Sequence, residues 1–173
     1  MYTLGPEEKA TVIMAYTQTG LIRGEVVTRE SVRINTWFRT DSAPEYLHLY
    51  KTQWIQSSGD QIKSSTVSDM LLPISLVIGF HAAPPSAEPL DYNEREDNRV
   101  NKQITILMGL FKVKGRLRIS AQTDIGTSLQ ITHSQWMSVY DGEISSNQIS
   151  QMPPFTVPML LVRAPQTVFV LQE

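Results

Sequence analysis

Phe111-Lys112-Val113-Lys114-Gly115-Arg116-Leu117-Arg118-Ile119 alternates apolar and cationic residues. Successive side chains on a strand point to opposite faces. The stretch therefore predicts a half-buried strand with Phe111, Val113, Leu117 and Ile119 inward and Lys112, Lys114, Arg116 and Arg118 in a row outside. Gly115 marks a bulge or a close approach of neighbouring backbone, because a glycine inside a strand otherwise only weakens it. The same landmark, a cationic residue and then Gly among β-formers, stands earlier in Ile22-Arg23-Gly24-Glu25-Val26.

Two further landmarks recur in the same order. Gln53-Trp54-Ile55 matches Gln135-Trp136-Met137, each followed by a polar loop, Ser57-Ser58-Gly59-Asp60 in one case and Ser145-Ser146-Asn147-Gln148 in the other. Leu72-Pro73-Ile74-Ser75-Leu76-Val77 matches Val157-Pro158-Met159-Leu160-Leu161-Val162, with Pro where a strand start tolerates a missing donor. Self-similarity of this kind predicts an internal duplication in which Trp54 lies over Trp136 and Pro73 over Pro158. The predicted organisation is a first repeat over 1–81, a Pro-rich acidic linker over 82–102 and a second repeat over 103–173. From Ala82 to Lys102 there are five acids and three bases, so the linker carries the whole net charge of −2.

Strand patterning dominates elsewhere. Val32-Arg33-Ile34-Asn35-Thr36-Trp37-Phe38-Arg39 alternates with Arg33, Asn35, Trp37 and Arg39 on one side. Tyr46-Leu47-His48-Leu49-Tyr50 places Leu47 and Leu49 inward and Tyr46, His48 and Tyr50 outward. Asp141-Gly142 predicts a tight hairpin turn, since such turns need positive φ. Thr167-Val168-Phe169-Val170-Leu171 predicts a last strand, and no window shows clean helical periodicity. The fold class is all-β: two tandem small units of about five strands, each closed into a small barrel to remove its edges. The order of a Gly-bent strand, a polar segment, a hairpin and a Pro-started final strand resembles the small bacterial barrels related to Sm-like and SH3-like folds. The second unit carries it in Gly115-Arg116-Leu117, Thr123-Asp124-Ile125 with Leu129, Tyr140-Asp141 and Leu160-Leu161-Val162.

Composition bounds the function. With 41% hydrophobic and 18% charged residues and a pI near 5.9, the chain can fill a core and has no global charge that would draw it to nucleic acid or an anionic membrane. The absence of cysteine excludes disulfides and thiolate chemistry and fits a reducing compartment. With no signal-like start and no apolar run of membrane length, a cytoplasmic location is expected and a membrane is not. His48, His81 and His133 stand apart with no ligand spacing, and no nucleophile elbow or phosphate loop is present. No metal, cofactor or catalytic activity is expected.

Two surfaces are candidates. The row Lys112, Lys114, Arg116 and Arg118 has the spacing of an anion-binding strip, or of a solvated face with cross-strand acid partners. Arg33, Trp37, Arg39, Tyr46, His48 and Tyr50 form an aromatic and basic face of a kind that stacks bases or fills a protein interface, either between the two repeats or between chains. Arg95-Glu96-Asp97-Asn98-Arg99 is similar to the Arg-x-x-x-Arg that precedes the barrel of PilZ domains, which implies nucleotide binding by Arg95 and Arg99. Asp124-Ile125-Gly126-Thr127-Ser128-Leu129 departs from the second half of that motif, with Gly at its Ser position and Leu at its Gly position. The expected function is a non-catalytic binding or scaffold protein engaging a protein partner or itself as an oligomer. The alternative is nucleotide or nucleic-acid binding, as a PilZ-like cyclic di-GMP sensor or an Sm-like RNA binder.

Overall fold

The computed structural model describes residues 2–58, 61–149 and 151–171, apart from the side chain of Ser58. Met1, Gly59 and Asp60 of the predicted first repeat, and Ser150, Gln172 and Glu173 of the predicted second, lie outside the described residues. The chain divides into two compact units, 1–88 and 89–173, so the division falls inside the predicted linker.

The first unit runs β1 (Glu8–Tyr16), β2 (Gly20–Arg29), α1 (Ile34–Trp37), β3 (Tyr46–Ser58), β4 (Gln61–Pro73), a 3₁₀ turn (Ile74–Leu76) and β5 (Gly79–Ala82). The second runs β6 (Arg99–Met108), β7 (Phe111–Ser120), α2 (Ile125–Ile131), β8 (Trp136–Ser145), β9 (Phe155–Arg163), a 3₁₀ turn (Ala164–Gln166) and β10 (Val168–Val170). Every ladder is antiparallel, with strand order β5-β1-β2-β3-β4 in the first unit and β10-β6-β7-β8-β9 in the second. The protein is all-β, as its alternation predicts.

Neither sheet closes on itself, which corrects the expected barrels: among the described residues no ladder joins β4 to β5 or β9 to β10. The physical reason is strand length. Closure needs matched strands with a consistent stagger, yet β5 has four residues and β10 three, while β3 and β4 reach thirteen each. Most of β4 lies exposed. Among the described residues no helix is long and apolar enough to cross a membrane.

Both glycine landmarks sit at a bulge. The β2–β3 register slips between Arg23 and Glu25, and the β7–β8 register between Lys114 and Arg116. Gly24 thus faces Lys51 and Thr52 together, and Gly115 faces Asp141 and Gly142. The first residue of each opposing pair, Lys51 and Asp141, has φ of 49°, the left-handed conformation of a glycine-type bulge. Asp141-Gly142 is therefore not a hairpin turn: the positive φ it favours is used inside β8. Pro158 is explained by the same bulge. It falls between the Tyr140–Met159 and Gly142–Val157 pairs, opposite the displaced Asp141, where the ladder needs no donor.

The other two landmarks mark unequal positions. Trp54 pairs with Ile22 on β2, whereas the residue paired with Val113 on β7 is Ile144. Trp136 instead begins β8 opposite Arg163, as Tyr46 begins β3 opposite Pro73. Pro73 ends its strand and Pro158 lies within one, so the predicted superposition of Trp54 on Trp136 and of Pro73 on Pro158 fails.

Residues 32–39 form no strand. Ile34 and Phe38 are buried, and a spacing of four lies on one face of a helix turn as well as of a strand. The helix wins because Glu88 accepts hydrogen bonds from the Ile34 and Asn35 amides at 2.6 and 3.1 Å, satisfying the open first turn. Phe38 then stacks on Phe80 of β5 with ring centroids 4.0 Å apart. In the second unit Asp124 caps α2, accepting from the Thr127 amide at 2.7 Å.

Candidate interaction face

β3 presents its two faces as its alternation requires. Leu47 and Leu49 are fully buried, while Tyr46 is 51% exposed and His48 also faces outward. Trp37 arrives from α1 and lines the same groove of about 280 Å³ as Tyr46, His48 and Tyr50. Its indole donates to the Ser42 carbonyl at 3.1 Å and its ring meets Phe38 edge-on, which fixes its orientation. Arg33 lines an adjacent groove beside Trp37. Arg39 lies exposed beyond α1. Arg33, Trp37 and Arg39 do not share a strand face, because the backbone between them is helical.

Sequence reading missed Tyr2 and Glu8. Tyr2 stands 4.9 Å from Tyr50, and Tyr50 stacks on His48 at 4.2 Å, so three rings lie in series. The Tyr2 hydroxyl donates to the Glu8 carboxylate at 2.7 Å and the Gly5 amide to the same oxygen at 2.8 Å. The tyrosine's bond first and the Gly5 amide's second hold the Glu8 carboxyl below its ordinary range, and the bond to Glu8 pushes the Tyr2 hydroxyl above its own. The Tyr50 hydroxyl lies 3.1 Å from His48 Nδ1, and His48 Nε2 lies 3.4 Å from Asp69. Asp69 is held low first by the Ser68 hydroxyl and then by His48. Nothing in the sequence spacing places Tyr2 against Tyr50, since that contact depends on where the start of the chain crosses β3.

Lys112, Lys114, Arg116 and Arg118 share the face of β7 opposite the buried Phe111, Val113, Leu117 and Ile119, but only Lys112 and Lys114 lie exposed, and the Arg118 side chain is 10% exposed. The four cations differ in partners. Arg116 pairs with Asp141. Arg118 lies over the Tyr92 ring at 4.5 Å, reaches Glu96 at 3.6 Å and donates to the Asn93 carbonyl at 2.9 Å. Lys114 stands opposite Glu143 in the ladder and Lys112 opposite Ser145. Arg95 is exposed in a turn, and Arg99 begins β6 with Glu96 3.8 Å away. The segment 124–129, which departs from the PilZ pattern, is the start of α2 and its cap.

The residues of the predicted linker are bound to the units. Ser86 accepts from the Val12 amide at 2.9 Å, and the Pro84 carbonyl accepts from Arg23 at 2.8 Å. Asp91 accepts from Ser138 and Tyr140 at 2.5 and 2.6 Å. Among the described residues no group of three or more His, Asp or Glu side chains could hold a metal ion.

Comparison with known proteins leaves the residues to speak for themselves: no family model, no curated protein and no solved structure matches this chain.

Proposed function

We propose that this chain is a non-catalytic binding protein, built from a duplicated five-stranded unit, that engages a protein partner through the aromatic face of its first unit. The observation that carries the reading is the gathering of Trp37, Tyr46, His48 and Tyr50 along one groove, backed by the buried Leu47 and Leu49. Rigid aromatic side chains offer contact area at low entropic cost, and such residues dominate protein interfaces.

The duplication is supported by ladder register rather than by the tryptophans. Ile13 pairs with Gly24 and Ile104 with Gly115; Glu25 pairs with Tyr50 and Arg116 with Tyr140; Tyr46 pairs with Pro73 and Trp136 with Arg163. Phe80 pairs with Ala15 of β1, and Phe169 with Ile106 of β6. A Gly-bent strand, a hairpin and a short last strand returning to the first also support the resemblance to small-barrel domains, here as open sheets.

The test is capture from lysate with and without nuclease, using the wild-type chain and a Tyr46→Ser/Tyr50→Ser variant, alongside light scattering of the free chain. The expected result is a protein captured by the wild type, indifferent to nuclease and lost with the variant. Capture that nuclease abolishes would replace this reading with the nucleic-acid one, and a change of mass in the variant would identify the partner as a second copy.

A further inference from the structure

We propose that the groove beside the ring series Tyr2, Tyr50 and His48 takes the guanidinium of an arginine from a basic segment of the partner. This rests on the reading of the first unit as a protein-binding face. The groove, of about 750 Å³, is lined by Tyr2, Tyr50, Glu25, Lys51, Ser68 and Asp69, with Glu8 at the adjoining end of the Tyr2 ring.

Its chemistry selects the ligand. Two carboxylates, Glu25 and Asp69, line the groove, and a third, Glu8, holds the Tyr2 hydroxyl from outside it. Among the described lining residues the one lysine or arginine, Lys51, is already matched to Glu25 at 3.0 Å. The hydrogen bonds to Glu8 and Asp69 favour their ionised forms, so the groove stays anionic at neutral pH. A polyanion is repelled there. A planar guanidinium, in contrast, stacks on tyrosine faces and presents paired donors to carboxylates, whereas an ammonium is a strongly hydrated point charge with no plane to stack. Asp69 and Glu25 in the lining and the exposed Tyr2 ring, whose face attracts a cation, thus complement a basic segment and prefer arginine to lysine within it.

The experiment is an NMR titration of the full chain with three capped octapeptides, alternating glycine with arginine, lysine or glutamate. Saturable shifts are expected with the arginine peptide at the amides of Tyr2, Tyr50, Ser68 and Asp69. The lysine peptide should bind more weakly and the glutamate peptide should produce none. Asp69→Asn, a surface change, should weaken the arginine peptide about three- to fivefold, as loss of an exposed charge contact does, and the spectrum elsewhere reports whether the fold is intact. Equal shifts from all three peptides, shifts centred elsewhere, or indifference to Asp69→Asn would overturn the proposal. If lysate capture succeeds while the arginine peptide gives no shift, the protein-binding face stands and its arginine specificity falls; if both fail, the face itself falls.

Discussion

Gly24 and Gly115 occupy the same kind of bulge under different crowding, and that difference is measurable. A Cβ at 115 would meet Val139 Cγ1 at 2.7 Å and the Tyr140 carbonyl oxygen at 3.0 Å, whereas one at 24 would meet Leu49 Cβ at 3.1 Å and the Thr52 hydroxyl at 3.2 Å. The backbone oxygen cannot turn aside, so Gly115→Ala is expected to cost about 1–3 kcal/mol and Gly24→Ala less, as read by urea denaturation. Equal losses would mean that β8 relaxes around the new methyl.

His81 gives the second prediction at this scale. It is 2% exposed, its Nδ1 lies 2.8 Å from the Ala82 carbonyl, and its Nε2 lies 2.9 Å from the Tyr16 hydroxyl. A carbonyl can only accept, so Nδ1 carries the proton and Nε2 accepts from Tyr16. Burial pushes the His81 pKa down against the opposing pull of the Ala82 carbonyl, and burial pushes the Tyr16 hydroxyl up. Because the folded pKa lies below the unfolded value of about 6.5, protons bind the unfolded chain more readily. Stability is full above about 6.5 and falls as the pH drops from there toward the folded pKa. Tm should decline between about pH 7 and 5, and His81→Gln should flatten that decline; a slope unchanged by the substitution would assign it to other groups.

At the scale of elements, α1 exists because of residues far from it in sequence. Its four residues are too few to hold a helix by propensity, and its amides at Ile34 and Asn35 depend on Glu88. Glu88→Ala leaves those donors without the carboxylate. The expected loss is about 1–3 kcal/mol, together with loss of the fixed Trp37 indole, which tryptophan fluorescence follows. Wild-type stability in that variant would show that α1 needs no cap. Strand β7 contrasts with α1: its pattern is local and complete, so Lys112→Ser and Lys114→Ser should each change stability by no more than about 0.5 kcal/mol.

On the scale of the molecule, each unit holds its own share of the predicted linker. Asp91 ties residues 89–98 to β8 through Ser138 and Tyr140, while Glu88 and Ser86 serve the first unit. Asp91→Ala should therefore speed amide exchange in β8 and around Tyr92 and leave β1 and β2 protected, and Glu88→Ala should do the reverse. Exchange that rises uniformly in both variants would contradict this division of the linker residues.

Much of the outline was legible in the chain. Period-two alternation determined β7 and the faces of β3, because burying one side of a strand needs only its own sequence to obey the pleat. The glycines marked the bulges, since a Cβ at either position crowds the strand that opposes it with two residues. Tertiary structure decided the rest. Ile34 and Phe38 fit a strand and a helix turn equally, and Glu88 broke the tie from 54 residues away. Asp141-Gly142 supplied positive φ, which serves a hairpin or a bulge alike, and the pairing with β7 selected the bulge. The aromatic face was half readable: parity gave Tyr46, His48 and Tyr50, but Tyr2 and the acids around it converge only once the chain is folded, because contacts between distant segments leave no periodicity in the sequence.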